Sequence, residues 1–173
     1  ASAAYVAVLH TDATHRITGN GLYDPGPSLD RIRGAHQLLQ ELHHPHDVVT
    51  LEDFLADSER YYLLILPEQV ALPPEADDVI RDWVRNGGRL IASGRVSPRI
   101  MEDIPTFALE DVLGVRWTGG RDAEGFFLHR GLPLQIAAPI YRVALYEAEM
   151  VQPLLVSGHE LRQQSTGLVA ASR

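Results

Sequence analysis

A chain of 173 residues with fifteen Arg, no Lys, twenty-three Asp and Glu and a net charge of −8 is 45% hydrophobic, enough to bury one good core. The negative balance repels phosphate backbones and anionic lipid headgroups, and no local Arg patch offsets it, so the sequence argues against nucleic acid or a membrane surface as partner. No cysteine is present, which removes disulfides, thiolate nucleophiles and sulfur-bound zinc.

No apolar run approaches the roughly 20 residues that span a bilayer. The first residues also lack the basic-then-apolar order of a signal peptide, and the cytoplasm is the expected compartment. The chain opens almost directly on a strand-like run without an initiator Met, and it is read as a piece of something longer.

Residues 5–10 (YVAVLH) form a short apolar run suited to a buried central strand. Residues 11–27 contain Gly19, Gly21, Pro25, Gly26 and Pro27, a density of turn formers that predicts a long loop. Ser28 is placed to cap the next helix, where Leu29, Ile32, His36, Leu39 and Leu42 recur at helical spacing.

Residues 47–51 (DVVTL) give a second strand, 51–56 a helical turn, and 61–66 (YYLLIL) the most apolar strand, ended by Pro67. Pro73 and Pro74 start a helix with Ala76, Val79, Ile80, Trp83 and Val84 on one face, and Gly87-Gly88 stop it. A fourth strand follows at 89–93 (RLIAS). This order of strands and helices predicts an α/β protein, a flavodoxin-like three-layer sandwich whose mainly parallel sheet is covered on both faces.

Beyond Gly94, Leu109, Val112 and Leu113 before Gly114 suggest a short helix leading into a strand at 115–117. Residues 126–129 and 140–145 are further strands, separated by glycines and Pro139 in the manner of irregular or antiparallel pairs. The core is therefore set at residues 1–118, with 119–173 a C-terminal extension of strands and a loose tail from Ser157 onward.

Ligands of open parallel sheets bind beyond the carboxyl ends of the strands, where the strand order reverses. That rim would carry His10, Asp12, Pro67, Glu68, Ser93, Gly94 and Arg95. His10, Asp12, Glu68, Ser93 and Arg95 are its speculative ligand contacts, although polar residues also cap strand ends where the chain simply returns to water.

Ser93 fails as a nucleophile on an elbow, because the positions two residues either side are Ile91 and Arg95 rather than small residues. Neither His129 nor His159 places a base beside it by sequence. The cluster His43-His44-Pro45-His46 reads better as a solvated helix end than as a metal site. No GxGxxG follows the first strand and no Lys serves a P-loop, so no nucleotide, cofactor or metal is expected.

The run 61–67 (YYLLILP) and the proline-led helix ending Trp83-Val84-Arg85-Asn86-Gly87-Gly88-Arg89-Leu90-Ile91-Ala92-Ser93-Gly94 resemble the class I glutamine amidotransferase-like domain of the β-galactosidase trimerisation type, found in glycoside hydrolases. Residues 34–42, Asp47-Val48-Val49 and 109–115 (LEDVLGV) extend the likeness.

The resemblance implies a flavodoxin-like fold, a place after a catalytic TIM barrel in the same chain, and a role in oligomer contacts or in shaping the barrel's mouth. Catalytic relatives use a Cys on the turn after the fourth strand and a later His-x-Glu. Here that turn holds Ser93-Gly94 and neither feature occurs, which implies a noncatalytic branch.

The leading expectation is a noncatalytic accessory or oligomerisation domain of a larger glycoside hydrolase, its partners being the parent chain's TIM barrel and copies of itself. Tyr23, Trp83 and Trp117 are candidate contact anchors, with Trp83 better read as core. The competing readings are a small-molecule-binding or hydrolytic enzyme using the rim, and a standalone oligomer.

Overall fold

Residues 5–10 are apolar at consecutive positions, as a strand covered on both faces requires, and they form β1 (Val6–His10) with Val6 through Leu9 buried. The computed structural model describes residues 3–19, 24, 26–68, 71–101, 104–122, 125–129, 132–136, 139–146, 148–156 and 162–170. The chain divides into two compact units, Ala1–Pro98 and Arg99–Arg173.

In the first unit β1 is followed by α1 (Asp12–Thr18), α2 (Pro27–Glu41), β2 (His46–Thr50), α3 (Leu51–Ala56), β3 (Leu63–Pro67), α4 (Pro74–Arg85) and β4 (Arg89–Ser93). The four strands are parallel in the order β2-β1-β3-β4. Side chains alternate across the sheet. Val6 and Val8 pack on Ile32 and Leu39 of α2, while the fully buried Leu64 and Leu66 point to the opposite face. On that side α3 lies against β1 and β2, and Phe54 of α3 meets Trp83 of α4 edge to face at 5.6 Å.

The structure corrects three expectations in this unit. The loop expected over 11–27 begins as α1, because Thr11 caps it by accepting the Thr14 N–H at 3.3 Å and the glycines and prolines start only at Gly19. Ser28 does not cap α2. Gly26, at φ +68, occupies the cap position, Pro27 is the first helical residue, and Ser28 is buried one step inside. Helices do not cover both faces of every strand: β4 alternates exposed and half-buried positions, and Ile91 is 51% exposed. No helix directly follows β4; Gly94 (φ +64) and Ser97 (φ +44) turn the chain instead.

The second unit begins within β5 (Pro98–Met101) and contains β6 (Ile104–Phe107), α5 (Glu110–Leu113), β7 (Val115–Asp122), β8 (Gly125–His129), β9 (Leu132–Ile136), β10 (Ile140–Leu145), β11 (Glu149–Val156) and β12 (Arg162–Ala170). Gly114, left-handed at φ +65, stops α5. β10 pairs antiparallel with β7, and a four-stranded sheet runs β12-β11-β8-β9. Phe107, Val115 and Val143 form a core on which Trp117 stacks, its ring 5.2 Å from that of Phe107.

The units divide after Pro98, earlier than the boundary expected at 118/119, because β6 lies against β7 and joins the antiparallel part. Residues 162–170 form β12, held by its ladder to β11, while 157–161 and 171–173 lie outside the described residues. Among the described residues no helix is long and apolar enough to cross a membrane.

Candidate functional site at the carboxyl ends of the parallel strands

The crossover after β1 runs over one face of the sheet and the crossover after β3 over the other, so the switch-point crevice opens at the carboxyl ends of β1 and β3. Glu68 is the first residue past β3. Its backbone is left-handed at φ +50, and its N–H donates to the carbonyls of Leu66 and Ser93, each at 3.0 Å. This conformation strains a residue with a Cβ by about 1 kcal/mol.

The Glu68 side chain is only 8% exposed. One carboxylate oxygen pairs with Arg31 Nε from α2, and the other lies 3.8 Å from Arg95 Nε on the turn after β4. Gly94 forms the floor beneath: a Cβ there would stand 2.8 Å from Glu68 Cγ and Cδ.

On the β1 side, the His10 ring lies against that of His15 with centroids 4.4 Å apart, and His15 Nδ1 is 2.6 Å from Ser28 Oγ. Thr11 Oγ1 sits 2.7 Å from Thr14 Oγ1 and 3.3 Å from the Ala71 carbonyl oxygen, and Thr14 Oγ1 accepts the Ala71 N–H. Ser97 Oγ in turn meets the N–H and the carbonyl of Leu72, both at 3.3 Å. The segment after Glu68 is thus tied at Ala71 to the start of α1 and at Leu72 to Ser97.

Of the five speculative rim contacts, the fold brings Glu68 and Arg95 together. Ser93 contributes its carbonyl, with its side chain exposed, and among the described residues no histidine is hydrogen-bonded to it. His10 is engaged with His15, and Asp12 is exposed in the first turn of α1. Sequence reasoning missed Arg31, His15 and Ser28. The available signal was weak: Ser28 and Arg31 fall beside the buried Ile32 on the inward side of α2. The hydroxyl of Ser28 is fully buried, so its contact orients the His15 ring and is not placed to attack a substrate.

Away from the rim, His36 Nδ1 lies 2.7 Å from His46 Nε2, and His44 Nδ1 lies 2.6 Å from the Tyr5 hydroxyl. His43, just past the C-cap of α2, is left-handed at φ +57. Among the described residues no three His, Asp or Glu side chains gather as a metal site. A cleft of about 590 Å³ opens at the other end of the sheet, lined by Ser58, Tyr62, Trp83, Asn86 and Gly87 among others. It is distant in the topology from the switch point, and the charged residues of its lining are the carboxylates Glu59 and Asp82. Trp83 is buried and donates to the Ser58 carbonyl. Trp117 is half-buried, and Tyr23 lies outside the described residues.

The sheet order and the crevice define the first unit as an α/β fold of the flavodoxin-like kind. No protein-family pattern matches the chain, and no curated protein sequence is significantly similar to it. Solved structures do share its fold. Gan42B, a GH42 β-galactosidase from G. stearothermophilus, is similar at 18% identity and TM-score 0.67, over 87% of this chain and 23% of its own. The β-galactosidase from Bacillus circulans sp. alkalophilus gives 17%, TM-score 0.72, 96% and 26%. α-L-Fucosidase isoenzyme 2 from Paenibacillus thiaminolyticus gives 18%, TM-score 0.69, 98% and 28%. The chain therefore spans about a quarter of the length of these structures.

Proposed function

We propose that this chain is a noncatalytic accessory domain of a larger glycoside hydrolase, acting by contact with the parent chain's catalytic barrel and with further copies of itself, in the cytoplasm. The carrying observation is the asymmetry of the likeness: most or nearly all of this chain corresponds to about a quarter of each of these three glycoside hydrolases. The crevice supports the same reading, since the place where this kind of sheet receives ligands is filled by the chain's own Glu68 side chain, wedged over Gly94. The resemblance carried by residues 61–94 adds the trimerisation and amidotransferase-like type.

The test has two parts. The 173-residue chain, assayed against aryl β-galactosides, α-fucosides and β-mannosides, is expected to give no turnover, and hydrolysis by the purified chain would overturn the reading. The gene is expected to encode a (β/α)₈ barrel of roughly 250 residues or more in the same frame. A gene encoding this unit alone, with a monomeric mass in solution, would also defeat it.

A further inference from the structure

We propose that Arg31 and Arg95 form a carboxylate-binding clasp at the switch point, that its resident ligand is Glu68 of the same chain, and that a short monocarboxylate occupies the clasp once Glu68 is removed. Two guanidinium groups from separate elements approach different oxygens of one carboxylate, Arg31 at Oε2 and Arg95 at Oε1. The planar, permanently charged guanidinium is the side chain best matched to a carboxyl group. The Glu68 side chain is buried, at 8% exposure, whereas the Arg31 and Arg95 side chains remain 28% and 39% exposed. The two arginine side chains thus reach the surface, while the Arg95 Nε that faces the carboxylate is buried behind the occupant.

The backbone supports the same assignment. Glu68 holds a left-handed conformation that glycine adopts freely and glutamate does not, and such strain persists only where the surroundings impose it. Its carboxylate pairings and the N–H bonds to Leu66 and Ser93 supply that constraint. The floor is shaped to the occupant as well: Gly94, itself at φ +64, leaves room that a single Cβ would close to 2.8 Å from Glu68 Cδ. Removing the glutamate takes away the counter-charge that it gives two guanidinium groups beside an open floor. That is the condition under which an external carboxylate binds.

Glu68→Gly clears the site and places at φ +50 the residue that tolerates it. The excised side chain corresponds to propionate. In thermal denaturation of the 173-residue chain, about 100 mM propionate is expected to raise the Glu68→Gly midpoint by about 3 °C over equal chloride. Propionamide, of the same shape but uncharged, is expected to give no rise. The wild type, its clasp filled, and Glu68→Gln, its volume kept and its charge lost, are expected to respond equally to propionate and chloride. Adding Arg31→Leu to Glu68→Gly is expected to abolish the rise.

Glu68→Ala read with acetate repeats the test in a second background. Equal responses to carboxylate and chloride in both cleared variants would overturn the proposal, as would a rise that survives Arg31→Leu. The outcome is separable from the accessory reading: turnover of glycosides would defeat that reading and leave the clasp standing, and failure of the clasp would leave the accessory reading untouched.

Discussion

Gly88 lies so close to the indole of Trp83 that a Cβ at position 88 would stand 2.4 Å from Cδ2 and Cε2. The indole has no easy retreat. Its N–H is held by the Ser58 carbonyl at 3.1 Å, and its ring sits edge to face on the fully buried Phe54. The two glycines after α4 thus have different duties. Gly87, at φ +103, supplies the turn, whereas Gly88 supplies clearance for an aromatic ring.

Gly88→Ala is accordingly expected to destabilise the chain by about 2 kcal/mol through overpacking, although alanine is a modest change elsewhere. Urea denaturation reads the loss. In a Trp83→Leu background the same substitution is expected to be milder, because the ring it strikes is gone. A Gly88→Ala midpoint equal to wild type would contradict the packing described.

A second glycine couples to the crevice. Gly94→Ala meets both a left-handed backbone and the Glu68 side chain, and a loss of about 2–3 kcal/mol is expected. Only the second part depends on Glu68. In the Glu68→Gly background the penalty of Gly94→Ala is therefore expected to fall by about 1 kcal/mol, a coupling that a double-mutant cycle measures. Strict additivity of the two substitutions would show that the carboxylate does not rest on Gly94.

The legible part of this fold is the part written in local pattern. β1, β4 and β10 follow from apolar runs bounded by turn residues, and α4 follows from its proline start and its buried Ala76, Ile80 and Trp83. α1 was hidden because its seven residues, DATHRIT, have no apolar stripe and precede a glycine-rich stretch; its cap at Thr11 was the readable sign. The exposure of Ile91 was not legible, since an apolar residue in a parallel strand gives no warning that no helix follows. At the site, strand ends pointed to Glu68 and Arg95. Arg31 is brought to them by the crossover of α2, and no local pattern encodes a contact made through topology.

Tyr61 gives the first unit an alkaline limit. Its ring is buried beside Phe54 and its hydroxyl donates to Asp47 at 3.2 Å. Burial first, and then the bond to Asp47 and that residue's negative charge, hold its phenol above the ordinary value of about 10, with Arg60 acting in the opposite sense. Above the ordinary value the folded state keeps a proton that the unfolded chain releases. The associated stability is therefore complete below about pH 10 and is lost as pH rises through the folded value. Tyr61→Phe is expected to flatten that alkaline decline, while lowering stability at neutral pH by about 1 kcal/mol through the missing hydrogen bond. Denaturation curves from neutral to strongly alkaline pH read both effects, and an alkaline slope unchanged by the substitution would rule this origin out.

In the second unit the Glu110 side chain performs a backbone task. Its Oε1 accepts the N–H of Phe107 at 3.1 Å and that of Trp117 at 2.7 Å, joining the ends of β6 and β7 across α5, and its own carbonyl accepts the Tyr146 hydroxyl at 2.7 Å. The rings of Phe107 and Trp117 stack in parallel just beside this bridge, so the carboxylate fixes the register of the aromatic pair. Glu110→Ala leaves two partly buried N–H groups without that acceptor and is expected to destabilise the unit by about 2–3 kcal/mol. Glu110→Gln keeps an oxygen in place and is expected to recover at least half of the loss. Near-ultraviolet circular dichroism of the stacked Trp117, followed through denaturation, separates the two variants. If alanine and glutamine were equally damaging, the charge rather than the acceptor geometry would be what holds β6 to β7.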